Sequence, residues 1–214
     1  MADLVFYTNP QSRGQTIRWM LEEVGAPYDT EILDYASTMK AEPYLSINPM
    51  GKVPAIKHKG KVVTEVAAIC CYLADAFPDA RLAPPPAERA DYYRWIFFTS
   101  GPVEAAFSNK AAGWEPTPER QRMFGYGNYD LAINTLEKAL AGREYIAADY
   151  FTAADLFVGA NVNFMLAFDL LEPREVFIDY ARRMTDREAY RRAKDIDSRL
   201  IAEAQQQPVQ PQPA

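Results

Sequence analysis

A chain of 214 residues, 49% apolar and 24% charged, is long enough for one large domain or two compact ones with a sizeable core. Its 23 basic against 29 acidic side chains leave a net charge of −6, which argues against a nucleic-acid partner or an anionic membrane surface, since both select for a basic face. One histidine, His58, and two adjacent cysteines, Cys70 and Cys71, cannot fill a four-coordinate structural zinc site or build a disulfide framework.

The first eighty residues alternate strand-like and helical patterns. Leu4-Val5-Phe6-Tyr7 is a short apolar run ending at Asn9-Pro10, a turn signal. Between Arg13 and Val24, the residues Ile17, Met20, Leu21 and Val24 recur at the helical period, and Gly25 and Pro27 stop the helix. An extended piece follows from Tyr28 to Leu33, then a short polar helix over Lys40 to Ser46. Asn48-Pro49-Met50-Gly51 is a turn before the strand that Val53 and Pro54 open. His58-Lys59-Gly60-Lys61 reads as a hairpin loop into Val62-Val63-Thr64. From Glu65, the residues Val66, Ile69, Cys70, Leu73 and Phe77 return to helical spacing.

The proline-rich stretch from Pro78 to Pro86 separates two composition regimes. Beyond it strand signals vanish, and residues 87–112, 118–140, 153–170 and 174–204 read as helices. Thr152 with Asp155 forms a capping-box signature, and Phe151 can staple onto Leu156. The expected organisation is therefore an α/β domain over residues 1–79, a linker over 80–87, an all-α domain over 88–204, and a disordered Gln/Pro-rich tail over 205–214. The most apolar stretch is interrupted by Asp155, Asn161, Asn163 and Asp169, so no bilayer span is expected. The chain runs from Met1 into Leu4 without a basic or long apolar leader, and its cysteine usage suits a reducing compartment. A cytoplasmic protein is expected.

The chain resembles a cytosolic glutathione transferase from Leu4 to about Ala204. The resemblance rests on the β-α-β-hairpin-helix order, Asn48-Pro49-Met50-Gly51-Lys52-Val53-Pro54, Thr64-Glu65 opening a helix, and the capping box at Thr152 and Asp155. It implies a thioredoxin-like N-terminal domain with a mixed four-stranded sheet, an all-α helical-bundle C-terminal domain, and a homodimer. It also implies glutathione as co-substrate, a small hydrophobic electrophile as partner, and no metal. By family analogy the Val53-Pro54 peptide is cis and the Val53 backbone holds the cysteinyl segment of glutathione. Glu65 takes its α-amino group and the Val66 N–H its γ-glutamyl carboxylate, while Lys52, and less directly Lys40, lies near the glycyl carboxylate. The family's usual serine is replaced by Val66. A charge-assisted hydrogen bond worth about 1.5–3 kcal/mol is thereby lost. That substitution keeps open a second reading, a non-catalytic ligand-binding or regulatory protein on the same scaffold.

A transferase of this type needs the ligand's thiol as thiolate. Lowering a thiol pKa by two units requires about 2.7 kcal/mol of preference for the anion. One hydroxyl hydrogen bond is about that strong, with up to about 1 kcal/mol more from a helix N-terminus. Two hydroxyls qualify. Ser12 precedes the first helix, as in the serine-type theta- and delta-like classes, and Tyr7 ends the first strand, where the tyrosine-type classes carry theirs. Arg13 would add positive charge beside the sulfur. Tyr92, Trp95, Phe97, Phe98, Phe107 and Trp114 supply aromatic surface for an apolar co-substrate.

Overall fold

The computed structural model describes residues 2–206. Its N-terminal part is a four-stranded mixed sheet in the order β2-β1-β3-β4, built from β1 (Leu4–Thr8), β2 (Asp29–Ile32), β3 (Ala55–His58) and β4 (Lys61–Thr64). β2 runs parallel to β1, β3 antiparallel to β1, and β4 antiparallel to β3. The parallel β1–β2 crossover is the helix α1 (Gly14–Val24), ended by Gly25 at φ 71° with its N–H on the Leu21 carbonyl. A two-residue turn closes the β3–β4 hairpin. Lys59 and Gly60 both have positive φ there, 48° and 79°, the backbone a tight hairpin of this hand requires. The helix α2 (Val66–Ala76) follows β4. This is the expected thioredoxin-like sheet.

Strand alternation sorts the core. Leu4, Phe6 and Thr8 of β1 are buried on one face, whereas Val5 and Tyr7 between them are half-buried on the other. Tyr7 packs with Val53 and Ile47 against a small cluster of Leu33, Met39, Tyr44 and Ala55.

The remaining elements are helices: α3 (Ala90–Phe98), α4 (Glu104–Ala111), α5 (Tyr129–Leu140), α6 (Ala153–Ala167), α7 (Glu175–Thr185) and α8 (Glu188–Gln206). The central α6 begins at a capping box in which Thr152 and Asp155 satisfy each other's backbone. The Asp155 carboxylate is fully buried and accepts from Ile146 N–H, Thr152 N–H, the Thr152 hydroxyl and the Tyr180 hydroxyl, at 2.7 to 3.0 Å. Four donors meet the demand that a buried carboxylate makes.

Several boundaries depart from the periodicity. The polar helix expected over Lys40 to Ser46 is two short 3-10 turns, Thr38–Lys40 and Tyr44–Ser46, with Pro43 between them. The helix expected over 87–112 is α3 and α4 joined by a π-type turn, Thr99–Val103, around Pro102, which has no N–H to give the ladder. The helix expected from Pro118 begins only at Tyr129, where Asn128 caps it by accepting the Leu131 N–H. Gly113 and Gly127 before it sit at positive φ. The helix expected over 174–204 breaks at Asp186, leaving α7 and α8 as separate elements.

Contacts divide the chain into two units. One runs up to Tyr72 and resumes at Glu188, and the other is Leu73–Arg187. The expected division, a helical domain over 88–204, differs from this in α8, which groups with the sheet by packing on α1. Trp19 stacks edge-on against Tyr190 at 5.0 Å, and Arg18 reaches Asp197 at 3.1 Å with both side chains buried. Gln205 and Gln206 of the expected tail end α8, and the rest of that tail lies outside the described residues. No helix among the described residues is long and apolar enough to cross a membrane.

Candidate functional site

One row of residues crosses the whole sheet: Glu31, Tyr7, Ala55 and Thr64, on β2, β1, β3 and β4. Tyr7 is in that row, and the other candidates for holding or activating glutathione lie on chain segments that leave the sheet just past it. β1 ends one residue beyond Tyr7 and turns through Asn9-Pro10-Gln11-Ser12-Arg13 into α1. Val53 and Pro54 lead directly into Ala55. Glu65 and Val66 follow directly on Thr64. The sequence scatters these residues from Tyr7 to Val66, and the mixed parallel and antiparallel register collects them at one end of the sheet.

The β1–α1 turn is held by Asn9. Its side-chain amide donates to the Leu33 carbonyl at 2.9 Å, and its side-chain oxygen accepts the Gln11 N–H at 3.0 Å. Ser12 is half-buried at the helix start. Its Oγ accepts the Gly14 N–H at 2.9 Å and donates to the Asn9 carbonyl at 2.6 Å. Arg13 is the N-terminal flanking residue of α1 and is half-buried. Tyr7 projects from the opposite face of β1 to Thr8, and its ring lies 5.6 Å from that of Tyr44. Burial, with the charge of Glu31 second, holds its phenol above the ordinary tyrosine pKa, so it stays a proton donor. The two candidate hydroxyls thus belong to different surroundings, Ser12 to the start of α1 and Tyr7 to the cluster beneath the β2–β3 connection.

That connection is pinned close to Val53. The Tyr44 hydroxyl and the Asn48 amide both donate to the Lys52 carbonyl, at 2.6 and 2.8 Å. The Lys40 ammonium donates to the Gly51 carbonyl, which ties one candidate lysine to the loop that carries the other. Both lysines are exposed. The Val53-Pro54 peptide is cis, as is Glu42-Pro43. Glu65 is exposed at the start of α2, its carbonyl accepting the Ile69 N–H, and its φ of 68° is in the left-handed region. Burial drives the Tyr44 phenol up to about 12, so it remains the donor that fixes Lys52.

Motif reading gave no role to Asn9, Tyr44 or Thr8, and it named Asn48 only as the start of a turn motif. Asn9, Tyr44 and Asn48 shape backbone, and the Asn-Pro turn signals at 9–10 and 48–49 were the cues for two of them. Among the aromatics offered for an electrophile surface, Tyr92, Trp95 and Phe107 are buried inside the helical unit, whereas Phe97 and Trp114 are exposed. Cys70 is fully buried, which pushes its thiol well above the ordinary range and leaves it inert.

Comparison with known proteins bears on the fold and the family. The family model for the glutathione S-transferase N-terminal domain matches residues 12–76. Glutathione S-transferase 1 of Schizosaccharomyces pombe is 30% identical over 158 residues, covering 68% of each chain. Protein LigF of a Sphingobium species is 29% identical over 178 residues, covering 64% of this chain and 66% of that one. The crystal structure of a glutathione transferase homologue from Sulfitobacter with bound glutathione superposes with a TM-score of 0.71 at 23% identity. It covers 92% of this chain and 99% of its own. The chain belongs to the glutathione S-transferase family.

Proposed function

We propose that the chain is a glutathione transferase that binds glutathione across the end of its sheet and activates the thiol with the Ser12 hydroxyl. The observation that carries this reading is the row from Glu31 to Thr64, beyond which Ser12, Val53 and Glu65 all emerge. In this reading the Val53 backbone pairs with the cysteinyl segment as an added strand would. Pro54 fixes the bend that presents it. Glu65 takes the α-amino group, the Val66 N–H takes the γ-glutamyl carboxylate, and Lys40 and Lys52 attract the glycyl carboxylate. Arg13 adds positive charge where the sulfur ionises.

The thiol proton leaves to solvent, and the thiolate is held by a hydroxyl donor at the start of a helix. The sulfur then bonds to the electrophilic carbon of a small apolar co-substrate, whose leaving group departs with the bonding pair. Reduction of a peroxide or disulfide would begin from the same thiolate. A role in detoxification, a cytoplasmic location and a homodimer belong to the same reading. Tyr93 and Phe97, one turn apart on α3 and both exposed, offer apolar surface for a second copy, which light scattering would reveal.

A specific observation favours Tyr7 as a second activator: its hydroxyl donates to no other described residue, whereas that of Ser12 is engaged. The test is the ultraviolet absorbance of bound glutathione thiolate at neutral pH, in the parent, Ser12→Ala and Tyr7→Phe. Loss in Ser12→Ala with retention in Tyr7→Phe is the expected result. The converse assigns activation to Tyr7, and no thiolate in the parent overturns the enzyme reading.

A further inference from the structure

A serine hydroxyl has one proton, and that of Ser12 is already committed. Its Oγ donates to the Asn9 carbonyl at 2.6 Å while accepting the Gly14 N–H. To donate to a thiolate, the hydroxyl must turn away from Asn9. The cost of activating the thiol therefore depends on what happens to the carbonyl it leaves.

Three donors converge on that carbonyl oxygen. They are the Ser12 N–H at 3.0 Å, the Ser12 hydroxyl at 2.6 Å, and the Thr8 hydroxyl at 3.3 Å. The Thr8 contact is the longest, near the limit of a useful hydrogen bond, and it can shorten only if a competitor leaves. Thr8 is 1% exposed and, being β-branched on a strand, has few rotamers to wander among. Its alternation on β1 points it toward the start of α1. There, a Cβ at Gly14 would lie 2.0 Å from the Thr8 hydroxyl and 2.9 Å from the Ser12 hydroxyl. Only a glycine at that place lets both hydroxyls crowd onto one turn.

Resting on the Ser12 reading, we infer that Thr8 is a positioning residue whose buried hydroxyl takes over the Asn9 carbonyl when Ser12 turns to the thiolate. No proton passes between protein groups in this exchange. The thiol proton leaves to solvent, Ser12 keeps its proton and aims it at sulfur, and Thr8 keeps its own and closes on Asn9. The β1–α1 turn then retains its shape in both states, and Ser12 switches without leaving a half-satisfied carbonyl. Thr8 acts only through Ser12, since its burial keeps it from the ligand.

The test compares the parent with Thr8→Val, Thr8→Ser and Ser12→Ala. It reads the pH titration of bound glutathione thiolate, together with kcat and KM. Losing one neutral hydrogen bond amounts to about tenfold, so Thr8→Val is expected to move the titration up by about one pH unit. Its kcat at neutral pH should fall about tenfold, with KM for glutathione changed by less than about twofold. Thr8→Ser, which restores the hydroxyl, should titrate like the parent. A Thr8→Val protein that is merely less folded would have a lower active fraction but an unmoved midpoint, and that result overturns the inference. So does a parental titration in Thr8→Val beside a Ser12→Ala variant without thiolate, an outcome that leaves the Ser12 reading standing. Thiolate surviving in Ser12→Ala overturns both.

Discussion

Two neighbouring residues at the start of α2 show how a site can be both strained and incomplete. Glu65 sits at φ 68°, a conformation that costs a non-glycine residue of order 1–3 kcal/mol, and it sits where the proposed site needs a carboxylate. Its neighbour Val66 presents a backbone N–H at a helix start but no hydroxyl. Val66→Ser is expected to tighten glutathione binding by about ten- to a hundredfold, the worth of one hydrogen bond to a charged group. Calorimetric titration checks this, and unchanged affinity would remove the hydroxyl from the account. Val53, Glu65 and Ser12 could be proposed from sequence because each falls in a motif of turn or helix-start residues. Thr8 could not, because a strand threonine carries no motif. Its significance arises from a contact with Gly14 that only the folded turn creates. Arg18 shows the same limit: an arginine inside a helical pattern reads as solvated, and the structure makes it a buried cation.

The elements that sequence rendered faithfully are those whose signals are local. Lys59-Gly60 announces a hairpin because its backbone needs positive φ, and Thr152 with Asp155 announces a helix start because each satisfies the other. Helix ends set by glycine and tertiary contacts, at 113–128 and at Asp186, escaped the periodicity. Between β3 and α2 the single histidine makes a pH-sensitive join. His58 is buried, its Nδ1 3.0 Å from the Tyr72 hydroxyl, and burial first, then the charge of Lys59, lowers its pKa. The unfolded chain takes up that proton near pH ~6.5, whereas the folded chain does so only at lower pH. In the interval the unfolded state holds more protons, so stability must fall as pH drops below about 6.5 and level off once the folded imidazole titrates. Urea unfolding between pH 7.5 and 5 should show a shallower decline in His58→Gln than in the parent. Equal slopes would assign the acid sensitivity elsewhere.

On the scale of the molecule, the sheet unit is discontinuous, closed by the helix that the chain makes last among the described elements. Trp19 is 1% exposed, and burying an indole of this kind is worth up to about 4–6 kcal/mol. Beside it Arg18 donates to Asp197, to Tyr28 at 3.2 Å and to Thr30 at 2.9 Å, with its guanidinium 5.0 Å from the Phe6 ring centroid. Burial outweighs the attraction of Arg18 and raises the Asp197 carboxyl pKa, so the pair locates α8 more than it strengthens the fold. Asp197→Ala, which strands a buried cation, is expected to cost about 3–5 kcal/mol in denaturant unfolding. The double change Arg18→Met with Asp197→Leu should recover most of that loss. If both proteins are equally destabilised, the charge is not the cause.

The return of α8 to α1 also sets a timetable for synthesis. A growing chain makes β1, α1 and the hairpin first, yet the α1 surface around Trp19 has no cover until residues 188–206 emerge. The whole segment from Leu73 to Arg187 is made in between, and it can condense while α1 still waits. The part begun first is therefore finished last. Until then its apolar face is open to the chaperones and proteases that meet a nascent chain, and the emergence of α8 is what closes it.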